Sequence, residues 1–219
     1  MSEIKENFKV FDARIKAPFS MIIAGPSNSG KTTFVTQLLN NSKSLIDQNV
    51  DYILWFYGQV LPVKHPISNC TFVHGLPSSF DEYIKPGLHG LIIFDDLMNE
   101  CINNSSITDF FTKRSHHENL SIIFITQNFF CEGKERKTFT KNAAYIVIFN
   151  SPLDKQTAYS MARKIMPKDI STFYDIYDHA VNKPHGYLFI DGHQKTSFDT
   201  MLRTDIFNDF QRCYTPKKK

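Results

Sequence analysis

The sequence has few cysteines, no long apolar run and little net charge. Its four cysteines are scattered over 219 residues and form no C-x-x-C pair. Because the polar N-terminus shows no signal peptide, this spacing predicts reduced thiols in an intracellular protein that is not secreted. No apolar run approaches the roughly 20 residues of a membrane-spanning helix, so we expect no membrane partner. The histidines lack partners at metal-ligand spacing, which argues against a zinc site.

The charge balance is close to even, with 25 Lys and Arg against 22 Asp and Glu and a net charge of +3. A protein coated with basic patches is therefore excluded, and any nucleic-acid surface must be local. Hydrophobic residues make up 42% of the chain, including 20 phenylalanines, which is ample for one sizeable core. We expect a single α/β domain over residues 1–219, with an edge segment at 1–18 and a basic tail at 215–219.

The most informative stretch is residues 19–41, FSMIIAGPSNSGKTTFVTQLLNN. An apolar run typical of a buried strand precedes GPSNSGKT, which matches G-x-x-x-x-G-K-[ST], and apolar residues at helical spacing follow. In this context backbone N–H groups and the positive end of the helix dipole face one point, where phosphate binds. The sequence therefore predicts a nucleoside triphosphate site. Its predicted cofactor-binding residues are Gly25, Pro26, Ser27, Asn28, Ser29, Gly30, Lys31, Thr32 and Thr33.

Side chains on this loop and on a second strand have predicted roles in hydrolysis. Lys31 is expected to reach the β- and γ-phosphates, and the Thr32 hydroxyl to ligate Mg²⁺. The apolar run at 91–94 ends in Asp95-Asp96. We predict that Asp95 holds Mg²⁺ and that Asp96 orients or deprotonates the attacking water. A strand-ending turn is the alternative interpretation of this acidic pair.

The next predicted strand, residues 121–126, ends in a polar group that begins with Thr126 and Gln127. Ligands of α/β sheets bind at the carboxyl ends of the strands. Gln127 is therefore predicted to sense the γ-phosphate or to hold the water, the alternative being a solvent-facing strand end. Residues 129–142, the cationic loop, follow directly. The loop's basic residues are Lys134, Arg136, Lys137 and Lys141.

The order of the predicted helices and strands indicates which branch of the P-loop NTPases the chain resembles. A strand at 51–57 between the P-loop helix and the acidic strand suits the additional-strand branch, which includes ring ATPases and helicases. We therefore predict an α/β P-loop NTPase fold of RecA/FtsK-like topology, with a mostly parallel central sheet flanked by helices. The D-x-x-G and N-K-x-D motifs of GTPases and the LSGGQ motif of transporter ATPases are absent from the sequence.

Five stretches occur together in order: GPSNSGKT, LIIFDDLMNE, FFTKRSHHENLSIIFITQNFF, YIVIFNSPLD and MLRTDIF. From about Phe19 to about Phe207 the chain thus resembles the genome-packaging ATPases of Maverick/Polinton elements and adintoviruses, in the FtsK–HerA superfamily. The resemblance implies a homo-oligomeric ring that uses ATP and Mg²⁺ to translocate double-stranded DNA, without sequence preference, into a preformed capsid. It also implies a capsid portal or vertex protein as partner, and localisation in the host nucleus and at the capsid vertex.

The resemblance also bears on the catalytic residues. Many members place Glu directly after the magnesium aspartate, whereas this chain has Asp96, with Glu100 as a weaker substitute. Such rings complete each site with an arginine from the neighbouring subunit. Arg114, on a helix predicted over 106–117, is the first candidate and Arg136 the second, while a surface arginine in a salt bridge is the alternative for either.

Two functions of other classes stay open. A small nucleotide kinase would transfer phosphate to a nucleoside phosphate, although no arginine-rich lid is present in the sequence. A nucleotide-regulated binding module would hydrolyse ATP too slowly to do work. ATP turnover with and without DNA distinguishes all three hypotheses.

Overall fold

The computed structural model describes residues 11–59, 67–97, 100–101, 104, 107–108, 110, 114–127, 129 and 141–215. Several predictions concern residues outside these ranges. They are those for residues 1–10, for 216–219 of the tail, for much of the helix over 106–117, and for Lys134, Arg136 and Lys137.

The described residues form nine strands and six helices. The strands are β1 Ser20–Ala24, β2 Tyr52–Tyr57, β3 Cys70–His74, β4 Gly90–Asp95, β5 Leu120–Thr126, β6 Tyr145–Phe149, β7 Tyr187–Asp191, β8 Leu202–Thr204 and β9 Arg212–Tyr214. The helices are α1 Lys31–Asn40, α2 Ser42–Leu45, α3 Ser115–His117, α4 Gln156–Ile165, α5 Ile170–Val181 and α6 Phe198–Met201. None of these helices is long and apolar enough to cross a membrane.

All nine strands join one sheet in the order β3-β2-β4-β5-β1-β6-β7-β8-β9. The first six run parallel, and β7, β8 and β9 are antiparallel to their neighbours. The predicted mostly parallel α/β fold is thus confirmed. The additional strand between the P-loop strand β1 and the acidic strand β4 is β5, which follows β4 in the chain.

The central parallel strands β2, β4, β5 and β1 are mostly apolar and buried because helices cover both faces of the sheet. Successive side chains of β4 alternate between two cores. Ile92 and Phe94 join the core that holds the buried residues of α4 and α5, whereas Leu91 and Ile93 join the core that holds those of α1. By the same alternation Asp95 lies on the α1 face.

Residues 11–18 lie against this sheet rather than apart from it. Ile15 is 2% exposed, belongs to the α1-side core, and forms an isolated parallel bridge with Ile46. The carbonyl of Ala13 accepts a hydrogen bond from Arg203 Nη1 of β8 at 2.7 Å. This part of the expected edge segment therefore contacts two elements that lie far apart in the sequence.

Candidate functional site

The carboxyl ends of β1, β5 and β4 are joined by backbone hydrogen bonds. Gly25 N donates to the carbonyl of Thr126 at 3.3 Å, and Asp96 N donates to that of Ile125 at 3.1 Å. Gln127 follows Thr126 directly and is exposed at this edge. The P-loop, the acidic pair and the predicted sensor residue, which come from three separate stretches of sequence, therefore meet at one edge of the sheet.

Two glycines shape the P-loop. A Cβ on Gly25 would lie 2.7 Å from the Cβ of Phe149, so the loop passes β6 too closely for any side chain. Gly30 has φ 107°, a conformation that other residues rarely adopt, and α1 begins at the next residue. Phe34 N donates to the Gly30 carbonyl at 2.8 Å, which closes the first helical turn. The P-loop is thus followed directly by the N-terminus of α1.

Lys31 is held inside this loop. Its Nζ donates to the carbonyls of Gly25 at 2.7 Å and Pro26 at 2.8 Å, and the residue is only 9% exposed. Burial lowers the pKa of the Lys31 ammonium, and the charges of Asp95 and Asp96 oppose that shift. The ammonium therefore lies within the electrostatic range of the acidic pair.

The two aspartates occupy different environments. The pKa of Asp95 is raised to about 6, chiefly by burial and to a lesser extent by the nearby Asp96 charge. A hydrogen bond from Trp55 Nε1 to Asp95 Oδ2, at 3.3 Å, and the Lys31 charge act in the opposite direction. Asp96 is exposed and has φ 57°, outside the regular strand region. One carboxylate is therefore sheltered on the α1 face, while the other faces solvent.

The oxygen donors at this edge fit a magnesium–triphosphate complex. Thr32 is half-buried in the first turn of α1, and Asp95 lies on the face that α1 covers. The buried Ser29 Oγ in the loop has no hydrogen-bond partner, as expected of a donor reserved for a ligand. Across the described ranges no group of three His, Cys, Asp or Glu side chains could hold a metal alone. Such a cluster is not required, since Mg²⁺ at phosphate sites uses one or two carboxylates together with substrate oxygens.

The remaining predicted catalytic residues lie elsewhere. Arg114 Nη2 donates to Asp81 Oδ1 at 2.6 Å, and its Nε donates to Glu118 Oε1 at 3.0 Å. Its partner Glu118 lies just before Leu120, at the amino end of β5, whereas the P-loop lies at the carboxyl end of that strand. Glu100 is exposed. Arg136 lies outside the described residues.

Two further residues contact the site without any signal in the sequence. Trp55 reaches Asp95 from the neighbouring strand β2, 40 residues away. His185, in the loop between α5 and β7, donates from Nδ1 to the Ser29 carbonyl at 3.1 Å across 156 residues. Neither contact has a local spacing pattern, so only the folded chain could identify them.

A parallel sheet with a strand inserted between the glycine-loop strand and the acidic strand is the fold of a P-loop NTPase. The sequence matches no protein-family model and no curated protein. Solved structures do resemble it. The genome packaging NTPase B204 of Sulfolobus turreted icosahedral virus 2, in complex with sulfate, superposes with TM-score 0.58 and 13% identity over 94% of this chain and 100% of that one.

Two more structures agree with this match. B204 in complex with ATP-gammaS gives TM-score 0.51 and 15% identity, covering 92% of this chain and 98% of its own. B204 described as the DNA-packaging ATPase of Sulfolobus turreted icosahedral virus gives TM-score 0.54 and 12% identity, covering 93% and 100%. At such identities the likeness establishes a shared fold.

Proposed function

We propose that this chain is an ATP-hydrolysing motor that translocates double-stranded DNA into a viral capsid, with residues 1–219 as one ATPase domain. The observation that carries the proposal is the common edge of the sheet, where Lys31, Asp95 and Gln127 meet in a P-loop NTPase fold. The likeness to B204 supports it, since that protein is a genome packaging NTPase with complexes of ATP-gammaS and AMPPCP. On this proposal the chain works in the host nucleus and at the capsid vertex.

The chemistry assigns a separate task to each side chain. Lys31 exchanges its bonds to two loop carbonyls for bonds to the β- and γ-phosphate oxygens of ATP. Thr32 and Asp95 would hold Mg²⁺, which would supply positive charge to offset that of the phosphates. The exposed Asp96 accepts a proton from the attacking water, and Gln127 orients that water.

A homo-oligomeric ring is part of the proposal, with Arg114 acting on a neighbouring subunit. A residue that serves another subunit's site need not approach its own P-loop, and Arg114 lies beyond the opposite end of β5. It must leave the carboxylates of Asp81 and Glu118 to act in this way. Mixed rings of Arg114→Ala and Lys31→Ala subunits should regain part of the turnover that each variant lacks. Mixed rings without rescue would assign the role to another arginine, such as Arg136.

DNA contact is proposed for the cationic loop, residues 129–142. The loop begins two residues after Gln127, and Lys141, at its far end, is exposed. A chain of net charge +3 needs such a local concentration of cations to hold a phosphate backbone. Contacts to phosphates make binding insensitive to sequence and sensitive to salt.

The decisive experiment measures ATP turnover with and without long double-stranded DNA. Wild-type turnover should rise with DNA, and Lys31→Ala should lower it about 100-fold or more because a charge-assisted phosphate contact is lost. Lys43→Ala, which removes an exposed lysine from α2, is the matched control and should change nothing. Phosphoryl transfer to nucleoside monophosphates, with indifference to DNA, would instead indicate a kinase. Negligible turnover in both conditions would indicate a binding module.

A further inference from the structure

A cleft of about 520 Å³ opens beside the P-loop. Asn28 and Ser29 of the P-loop form one side, and Asn150, directly after β6, forms another. The third side is the loop between α5 and β7, residues 182–186, which carries His185. The volume falls within the range of about 300–1,000 Å³ found for small-molecule sites.

The loop that carries His185 is fixed by backbone packing and by an ion pair. A Cβ on Gly186 would lie 2.9 Å from the backbone of Val181. The connection between α5 and β7 is therefore packed too closely for a side chain at this position. Gly186 N donates to the Lys183 carbonyl at 2.9 Å, and the Lys183 ammonium pairs with the Asp205 carboxylate. The wall of the cleft is therefore anchored by elements on both sides.

His185 contacts the P-loop itself. Its Nδ1 lies 3.1 Å from the Ser29 carbonyl, and a Cβ on Gly30 would meet the imidazole ring at 3.1 Å. Because a carbonyl oxygen only accepts hydrogen bonds, Nδ1 carries the proton in this contact. In the neutral ring Nε2 is then an acceptor. The cleft thus combines one imidazole acceptor with the side-chain amides of Asn28, Asn150 and Asn182.

The order of the strands decides which part of a nucleotide this cleft faces. Along the carboxyl edge the acidic pair follows β4, Gln127 follows β5, the P-loop follows β1, and Asn150 follows β6. A triphosphate held by the P-loop with its γ-phosphate towards Asp95 has its other end towards β6. That end carries the ribose and the base.

We propose that this cleft binds the nucleoside half of the triphosphate and that His185 Nε2 accepts a hydrogen bond from a ribose hydroxyl or from an amino group of the base. The assignment rests on the proposed function, because it requires the phosphates to lie in the P-loop. It adds a nucleoside subsite, formed by residues 150 and 182–185, that none of the sequence motifs indicated. His185 thereby links recognition of the nucleoside to the Ser29 carbonyl of the phosphate loop.

The test compares ATP with inorganic tripolyphosphate, which carries the phosphates alone. Dissociation constants are measured calorimetrically with Mg²⁺ for the full-length wild type and for His185→Ala. Loss of one hydrogen bond should weaken ATP binding about three- to tenfold and leave tripolyphosphate binding unchanged. His117→Ala, which removes an exposed histidine from α3, is the control and should alter neither constant. Three further ligands, 2′-deoxy-ATP, 3′-deoxy-ATP and ITP, distinguish the two hydroxyls and the amino group as partners, since the ligand that lacks the partner becomes insensitive to His185→Ala.

A second variant tests the cleft without removing His185. Asn182→Trp places a large side chain at an exposed position of the wall and should also weaken ATP but not tripolyphosphate. Equal weakening of both ligands in His185→Ala, or unchanged ATP affinity in both variants, would overturn the nucleoside assignment while leaving the P-loop assignment intact. A wild type that binds neither ligand would overturn the proposed function and this subsite with it. Thermal unfolding of each variant confirms that the comparison is between folded proteins.

Discussion

Charged side chains are buried in two parts of the molecule, and their hydrogen-bond partners differ between the two parts. In the antiparallel half, Arg203 is 2% exposed and Asp191 is 5% exposed, with Arg203 Nη2 2.5 Å from Asp191 Oδ2. The guanidinium also lies over the Phe189 ring, 4.8 Å from its centroid. At the carboxyl edge of the parallel half, Lys31 instead donates to two backbone carbonyls. There Asp95 accepts a hydrogen bond from an indole.

This difference distinguishes an ion pair that stabilises the fold, Arg203–Asp191, from charged residues of the candidate site, Lys31 and Asp95. Arg203 and Asp191 form an ion pair with each other, so folding recovers part of the cost of removing both charges from water. Burial instead leaves Lys31 with a lowered pKa and Asp95 with a raised pKa, which means that neither charge is fully compensated by the protein. Uncompensated charge in a cleft is a mark of a site that a ligand completes.

Breaking the structural pair should have the largest effect on stability. Arg203→Met leaves the Asp191 carboxylate buried without its cation and should lower the free energy of unfolding by about 3–5 kcal/mol. Urea denaturation measures this loss. The control is Arg14→Met, which breaks the exposed pair with Asp12 and should leave the unfolding curve unchanged. A loss below about 1 kcal/mol for Arg203→Met would contradict the contrast between the two regions.

Removing the charge at the site should have a smaller effect and the opposite sign. Asp95→Asn deletes a carboxylate whose ionised form is disfavoured by burial, so at pH 8 the free energy of unfolding should rise by about 1–3 kcal/mol. The same variant should bind ATP about tenfold or more weakly in a Mg²⁺-dependent manner.

Asp96→Asn is the matched comparison at the adjacent residue. Because Asp96 is exposed, its substitution should change stability little, and the variant should retain ATP yet stop hydrolysing it. Equal loss of nucleotide affinity in the two variants would show that the aspartates do not divide metal binding and proton transfer between them.

The gain in stability from removing the Asp95 charge should itself depend on pH. In the folded chain the pKa of Asp95 is raised to about 6 from its ordinary value of 3.8, so the folded state favours the protonated carboxyl. The stability cost of Asp95 is therefore complete above about pH 7, falls to roughly half near pH 5, and disappears below about pH 4. The difference in unfolding free energy between wild type and Asp95→Asn, measured by denaturation across this range, should follow that course. A difference that stays constant with pH would mean that Asp95 titrates normally.

Local pattern predicted much of the parallel half correctly. Strands β1, β2, β4 and β5 are continuous apolar runs because both faces are covered, and such runs are visible without knowledge of their neighbours. The P-loop is likewise a local structure, since its turn depends on glycines at fixed spacing and its helix follows directly. The sequence alone therefore determined the glycine loop, the acidic strand end and the mostly parallel α/β class.

Tertiary structure decided what depends on pairing between distant segments. Strand β5 lies between β1 and β4 although it follows β4 in the chain, and that position joins Gln127 to the P-loop. Strands β8 and β9 are three residues each, too short for a periodicity to appear. Arg203 is structural only because Asp191 lies beside it, and His185 reaches Ser29 across 156 residues. In each case burial and hydrogen bonding depend on a partner far away in the chain, and no local preference of the residue specifies that partner.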